Sequence, residues 1–282
     1  MTLRIELKVP LPNDIEGSGL IRNWMPALTA SQVLEQPLQI GNVRGEFGDL
    51  FRAAGDYADQ CSLWSGDFSL LTGLAACQNA GQTIVEGNIG HRAGAKMQGG
   101  SLIIRGNGAN DIGSSMMGGT IFVTGNTGDR TGGCGSGDTA GMNRGTIIVA
   151  GNCGEAVGLR MRRGMIWVGG SALGYAGFQL IAGTVIVGKS EGVGLAHEMK
   201  RGTVVALRTN ADAVSSIRFR TSGTVQGGII AMLGGELRRG LQAIGESIPE
   251  TFEANLAALQ RPMRRFTGDC LQDGSGELLF PV

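Results

Sequence analysis

Several residue types are scarce in this sequence, and each scarcity excludes something. Aromatic residues make up only 5% of the chain, too few for a conventional aromatic-rich sandwich core. Seven prolines, and no glycine at every third position, exclude collagen. The two histidines, His91 and His197, have no second ligand at metal-binding spacing, so both read as satisfied surface residues. The five cysteines (Cys61, Cys77, Cys134, Cys153 and Cys270) are odd in number and form no C-x-x-C pair, which points to reduced thiols and a cytoplasmic protein. Basic and acidic residues balance at 24 each, leaving no bulk positive charge to attract nucleic acid. No apolar run is long enough for a membrane span, and the opening MTLRIELKVP lacks the apolar segment of a secretory leader.

What is abundant is glycine, 50 of 282 residues, in a chain that is nonetheless 42% hydrophobic. Many tight turns between short buried strands satisfy both figures, and a repeat architecture supplies them. The chain aligns on itself at starts Gln82, Ser101, Thr120, Thr146, Met165, Thr184 and Thr203, spaced by 19 residues except for one interval of 26. The segments read QTIVEGN, SLIIRGN, TIFVTGN, TIIVAGN, MIWVGGS, TVIVGKS and TVVALRT. Repeats close on Gly100, Gly119, Gly145, Gly164, Gly183 and Gly202. Such a unit is too short for two helices, and its β-branched opening followed by glycine turns predicts one coil of a β-solenoid. The expected fold is all-β, a right-handed parallel β-helix with 19-residue coils and a short C-terminal helical cap.

Within each coil, positions two and four (Leu102 and Ile104, Ile121 and Val123) are apolar and should point inward, with one and five outward. Position seven is Asn88, Asn107, Asn126 and Asn152, then Ser171 and Ser190; asparagine tolerates left-handed backbone and can bond a neighbouring backbone group, so a stacked ladder is expected. Met97, Met116, Met142, Met161, Leu180 and Met199, three residues before each closing glycine, read as flexible core filler rather than a binding groove.

Position three breaks the alternation. Ile84, Ile103, Phe122, Ile148, Trp167, Ile186 and Val205 should face outward as a continuous apolar stripe, which a monomer rarely leaves bare. The helical stretches of residues 236–260, around Pro249, another subunit, or both together are expected to cover it. Ile103, Phe122, Ile148, Trp167 and Ile186 are accordingly the candidate interface.

The ends depart from the repeat. Residues 1–37 are expected to form a cap with a strand at LRIELKVP and a helix near residues 21–34; residues 38–235 form the β-helix, with irregular coils over 43–81; residues 236–282 form a C-terminal helix and tail. The extra seven residues fall within 128–143 (GDRTGGCGSGDTAGMN) and are expected to loop out on one face, where Cys134 has no neighbouring cation or histidine to activate it.

Catalytic signatures are sparse. GNGANDIG (residues 106–113) matches G-x-G-x-x-G only loosely, no P-loop or G-x-S-x-G elbow is present, and the acidic residues Asp111, Asp129, Asp138, Glu155 and Glu191 form no column of the kind a polysaccharide lyase would need. Basic pairs cluster near coil ends at Arg162 and Arg163, Lys200 and Arg201, Arg238 and Arg239, and Arg264 and Arg265, as a solvated edge or a track for a polyanionic tail.

The punctuation of EGNIGHRAGAKMQGG and AGNCGEAVGLRMRRG resembles the β-helical domain shared by the C-type subunit of formylmethanofuran dehydrogenase and the C-terminal domain of glutamate synthase, over residues 38–205. With the LRIELKVP opening and the FTGDCLQDGSGELL ending, the chain looks most like the C-type, β-helical subunit of the bacterial formyltransferase/hydrolase complex of methylotrophs. That resemblance implies a non-catalytic structural subunit in a hetero-oligomer with no nucleic-acid or membrane partner. It implies that a formyltransferase subunit moves formyl between tetrahydromethanopterin and a methanofuran-like carrier, and that an amidohydrolase-like subunit releases formate. No cofactor or metal is expected on this chain, and there are no catalytic residues to carry over. The family's carrier has a glutamate-rich tail, which the resemblance offers as a ligand for the arginine pairs. A molybdenum or tungsten formylmethanofuran dehydrogenase, a glutamate-synthase-type module and a solenoid enzyme acting on a sugar polymer are the alternatives.

Overall fold

A computed structural model describes residues 2–12, 14–18, 20, 28–209 and 214–282 of the chain. The seven repeat starts are the strands Gln82–Glu86, Ser101–Ile104, Thr120–Val123, Thr146–Val149, Met165–Ala172, Thr184–Ser190 and Thr203–Ala206. Each pairs in parallel with the strand one repeat on, placing Ile103 beside Phe122, Phe122 beside Ile148 and Ile148 beside Trp167. The insertion leaves this register intact, since Thr120 still pairs with Thr146. These strands form the middle of a 13-stranded, mostly parallel sheet. A second column of parallel bridges links Phe68, Ile89, Gly108, Thr127, Cys153 and Ala172, the eighth residue of each repeat from Ile89 onward.

The strand period of two sets the inner face. Leu102, Ile104, Ile121, Val123, Ile147 and Val149 are fully buried and share one core with the methionine column, every member of which is 0% exposed. Methionine is core filler here, as its flexible thioether suits. The closing glycines make room for it. Gly145 has φ +95, and a Cβ there would sit 2.6 Å from the Gly119 carbonyl oxygen and 2.9 Å from Met116 Cε. Thr83, at position two of the first repeat, is a buried polar exception, and its hydroxyl donates to Gln78 Oε1 at 2.9 Å.

The asparagine ladder forms, but not through left-handed backbone. The side-chain oxygens of Asn88, Asn107, Asn126 and Asn152 accept from the backbone N–H of the residue one repeat on, at 2.9, 2.9, 2.8 and 2.7 Å. None of the four has positive φ; that conformation falls on Arg92, Asp111, Arg130, Ala156 and Tyr175, and on Lys96, Ser115, Arg160, Gln179 and Glu198. The repeat therefore holds non-glycine residues left-handed at two fixed turn positions, where backbone hydrogen bonds to the next repeat offset the steric cost. A second ladder has no single-residue signature in the sequence. His91 Nδ1, Asn110 Oδ1 and Asp129 Oδ1 accept from the backbone N–H of Asn110, Asp129 and Glu155 at 3.2, 3.0 and 2.8 Å. Asp129 and Glu155 thus do share a column, with mixed residue types that mask it.

At the N-terminal end, Leu3–Leu7 pairs in parallel with Cys61–Ser65 and antiparallel with Phe51–Ala54, which extends the large sheet. Phe47, Phe51, Trp64 and Phe68 cluster there, the Phe47 and Phe51 rings stacked 4.1 Å apart and Trp64 edge-on to all three phenylalanines. A four-stranded sheet of Val43–Glu46, Pro37–Ile40, Ile15–Glu16 and Leu71–Thr72 lies beside it. The helix Ala30–Leu34 is capped by Thr29, while residues 21–27 of the expected helix lie outside the described residues.

At the other end, the tail does more than cap. Gly276–Pro281 pairs in parallel with Thr203–Ala206, Met263–Gly268 pairs antiparallel with it, and Arg220–Val225 forms the edge. Asp269, fully buried, accepts from the backbone N–H groups of Glu198 and Leu271 and from Arg218 Nη1 at 2.8, 3.0 and 2.5 Å, which ties the tail to the last repeats.

Of the two possible covers for the apolar stripe, the structure shows the internal one. Ile103, Phe122, Ile148, Trp167 and Ile186 are at most 2% exposed, packed under Leu233, Leu237, Leu241, Phe252 and Leu256. The covering helices are Ile229–Ala243 and Thr251–Ala258, with Pro249 between them; the first begins ahead of residue 236. Ile230, Leu233, Leu237, Leu241 and Ile244 recur at helical spacing and form its buried face. A 15-residue helix is about 22 Å long, against about 29 Å for seven strands, so a second helix is needed to finish the cover. Trp167 meets Phe252 edge to face at 6.2 Å. The five side chains expected to form an interface are therefore interior, and the stripe gives no argument for a partner.

Candidate functional site

The remaining surface candidates lie at the turn that closes each repeat, just before its glycine. Backbone hydrogen bonds from Asn143, Arg162, Ile181 and Lys200 to the preceding repeat place these four in one column, since each donates to the carbonyl of Met116, Met142, Met161 or Leu180. The next residue in each case is Arg144, Arg163, Ala182 and Arg201, and Arg160 stands two residues before Arg162. Arg144, Arg162, Arg163, Lys200 and Arg201 are exposed and Arg160 is half-buried. The repeat rise of about 4.8 Å puts Arg144 and Arg201 about 14 Å apart along the stack.

The sequence marks Arg162, Arg163, Lys200 and Arg201 as adjacent pairs but not Arg144 and Arg160, which are isolated in sequence and join the others only through the register. The other two pairs lie on different elements. Arg238 and Arg239 ride on the covering helix, where Arg239 pairs with Glu236; on the strand Met263–Gly268, Arg265 pairs with Glu277 of the neighbouring strand at 2.9 Å. Among the described residues, no ion pair reaches any of the six ridge cations, whereas Arg92, Lys96, Arg105, Arg130, Lys189 and Arg218 each have a carboxylate partner.

The insertion borders this ridge and folds back over the two preceding repeats. Asp138 accepts from Ser115 Oγ at 2.6 Å and from Lys96 Nζ at 3.1 Å, and the Ser115 bond, then the lysine, holds its carboxyl below the usual range. Between insertion and ridge lies a depression of about 340 Å³ lined by Lys96, Ser115, Met117, Asp138, Asn143 and Arg162. Met117 is 43% exposed there, and Asn143 Oδ1 is buried without a hydrogen-bond partner. Cys134, on the same insertion, is half-buried.

Two groups away from the ridge, Cys153 and His197, are shifted by burial. Burial pushes the Cys153 thiol up to about 12, against the hydroxyls of Thr127 and Thr131, so it stays a thiol. Burial, then the Arg218 charge, holds His197 below the ordinary imidazole value. Among the described residues, no three His, Cys, Asp or Glu side chains gather to hold a metal ion, and no helix is long and apolar enough to cross a membrane. The feature that stands out on this face is the ridge of exposed cations.

No protein-family model and no curated protein matches the chain. Among solved structures, it is similar to a chain in the X-ray crystal structure of the formyltransferase/hydrolase complex (FhcABCD) from Methylorubrum extorquens in complex with methylofuran. The TM-score is 0.86 at 28% sequence identity, over 99% of this chain and 99% of that one. The likeness thus spans both ends as well as the repeats, and it is to a chain of a multi-subunit formyltransferase/hydrolase complex.

Proposed function

We propose that this chain is a non-catalytic structural subunit, equivalent to the C-type β-helical one, of a cytoplasmic formyltransferase/hydrolase complex of one-carbon metabolism. The supporting observation is the end-to-end likeness to a chain of such a complex. In this reading the chain is a right-handed parallel β-helix with 19-residue coils; in-register parallel pairing of consecutive repeats supports the solenoid, and parallel crossovers are right-handed in nearly all sheets. Its continuous backbone stack and internally covered stripe make a stiff body on which partner subunits dock. The formyltransferase and amidohydrolase-like partners carry the chemistry, moving formyl from tetrahydromethanopterin by way of a methanofuran-like carrier to formate. This chain binds neither cofactor nor metal itself.

Affinity purification of the tagged full-length protein from its native host, with mass spectrometry of co-eluting chains, tests the reading. Co-elution of formyltransferase and amidohydrolase-like chains is the expected result. A molybdenum or tungsten subunit would move the protein to a dehydrogenase, and recovery of the chain alone would overturn the proposal.

A further inference from the structure

We propose that the ridge of Arg144, Arg160, Arg162, Arg163, Lys200 and Arg201 docks an acidic, extended segment of a partner protein. The inference rests on the reading above only in requiring that a partner chain exists. Its first support is the clustering: the register gathers six cations, five of them exposed, at the closing turns of consecutive repeats, and none of the six has a carboxylate partner among the described residues. The acidic groups closest in register are already engaged, Asp138 by Lys96 and Ser115, and Glu198 by Gln179 Nε2 at 2.8 Å. Stacked guanidinium groups a few ångströms apart repel one another, and an opposing run of carboxylates relieves that repulsion.

The chain as a whole shows the same imbalance. Residues 1–141 contain 9 basic and 13 acidic residues, and residues 142–282 contain 15 and 11, so a chain of zero net charge has one positive half. Five of the six ridge cations are arginine, whose planar fork pairs bidentately with carboxylates. The span of about 14 Å matches four to five residues of extended peptide at about 3.3 Å each. Nucleic acid fits less well, because no aromatic side chain belongs to the ridge or lines the adjoining depression for a base to stack on. That depression, with exposed Met117 and the unpartnered Asn143 Oδ1, suits a partner side chain with an apolar stem and a hydrogen-bond donor beside the acidic run.

The test uses full-length protein and a fluorescent eight-residue peptide of glutamate and aspartate, read by anisotropy in 50 and 300 mM salt. The comparisons are a peptide with the acids replaced by glutamine, and a single-stranded oligonucleotide of equal charge. The expected result is salt-sensitive binding of the acidic peptide alone, weakened at least tenfold in the Arg162→Glu/Arg163→Glu variant. Binding should be unchanged in an Arg4→Glu/Arg52→Glu control at the opposite end of the sheet, with both variants melting as the parent does. Absence of peptide binding, equal binding by the ridge variant, or an oligonucleotide bound as tightly as the peptide overturns the proposal. The co-purification above, repeated with the ridge variant, separates the two readings. Partners lost only from the variant support the ridge; partners retained by both overturn the ridge and leave the complex standing. Partners recovered by neither overturn the complex reading, and the peptide result then decides the ridge.

Discussion

On one side of the repeat strands, Leu102, Ile121, Ile147 and Val185 pack against methionines and glycines of the same stack, so each repeat brings its own filling. On the other side, Ile103, Phe122, Ile148 and Trp167 wait for helices that follow the last repeat in the chain. Both sets of side chains are buried, but the inner one closes as each repeat stacks on the last, while the outer one closes only when Ile229–Ala243 and Thr251–Ala258 fold back. The contrast teaches that an apolar stripe on a stack of parallel strands is not by itself evidence of a partner: a chain with a long enough amphipathic tail covers it alone.

The largest effect expected from breaking this comparison is on the outer face. Trp167→Ala and Phe252→Ala should each cost about 3–5 kcal/mol in chemical denaturation, and the double variant less than their sum, because the two rings pack on each other. Hydrogen exchange should show the amides of Ile229–Ala243 opening before those of Thr146–Val149, since the helices can leave while the stack remains. Simultaneous opening would mean that the two faces form one cooperative unit.

A smaller loss, about 2–3 kcal/mol, is expected from Asp269→Asn, which weakens charge-assisted hydrogen bonds holding the tail. Burial opposes the Asp269 charge, but the amides of Glu198 and Leu271 and the Arg218 guanidinium outweigh it and hold the carboxyl below its ordinary value. A lowered folded-state pKa gives stability that is present above the unfolded value of about 3.9 and is lost as pH falls through the folded one. The parent's melting temperature should therefore drop below about pH 4 more steeply than that of Asp269→Asn. Parallel curves would show that this carboxylate does not control the tail.

On the inner face, Gly145→Ala should cost about 2 kcal/mol, from strained backbone plus contact with the Gly119 carbonyl and Met116. Gly137→Ala on the insertion, also at positive φ (+80) but with nothing within 4 Å, should cost about half as much. Equal losses in thermal melts would place the whole effect in backbone strain. The smallest effect, about 1 kcal/mol, is expected for Asn126→Ala, which removes the acceptor of the Asn152 N–H.

Much of this was legible because a parallel stack writes its geometry into the sequence. The seven starts, the inward side chains at positions two and four, the buried methionines and the asparagine ladder all recur at the repeat interval, and each lies where it was expected. The second ladder was hidden because histidine, asparagine and aspartate accept the same hydrogen bond without looking alike. Arg144 and Arg160 were hidden for a related reason: single cations become a ridge only when register stacks them.

The sequence by itself determined the repeat, its inner core and the asparagine ladder, because these depend on contacts between residues one period apart, and periodicity reports such contacts directly. Tertiary structure alone decided what covers the outer stripe, how Leu3–Leu7 and Gly276–Pro281 extend the sheet, and which cations stay unmatched. Those outcomes depend on the ends of the chain returning to the stack, and a hydrophobic or charged residue does not record in sequence which distant surface it will meet.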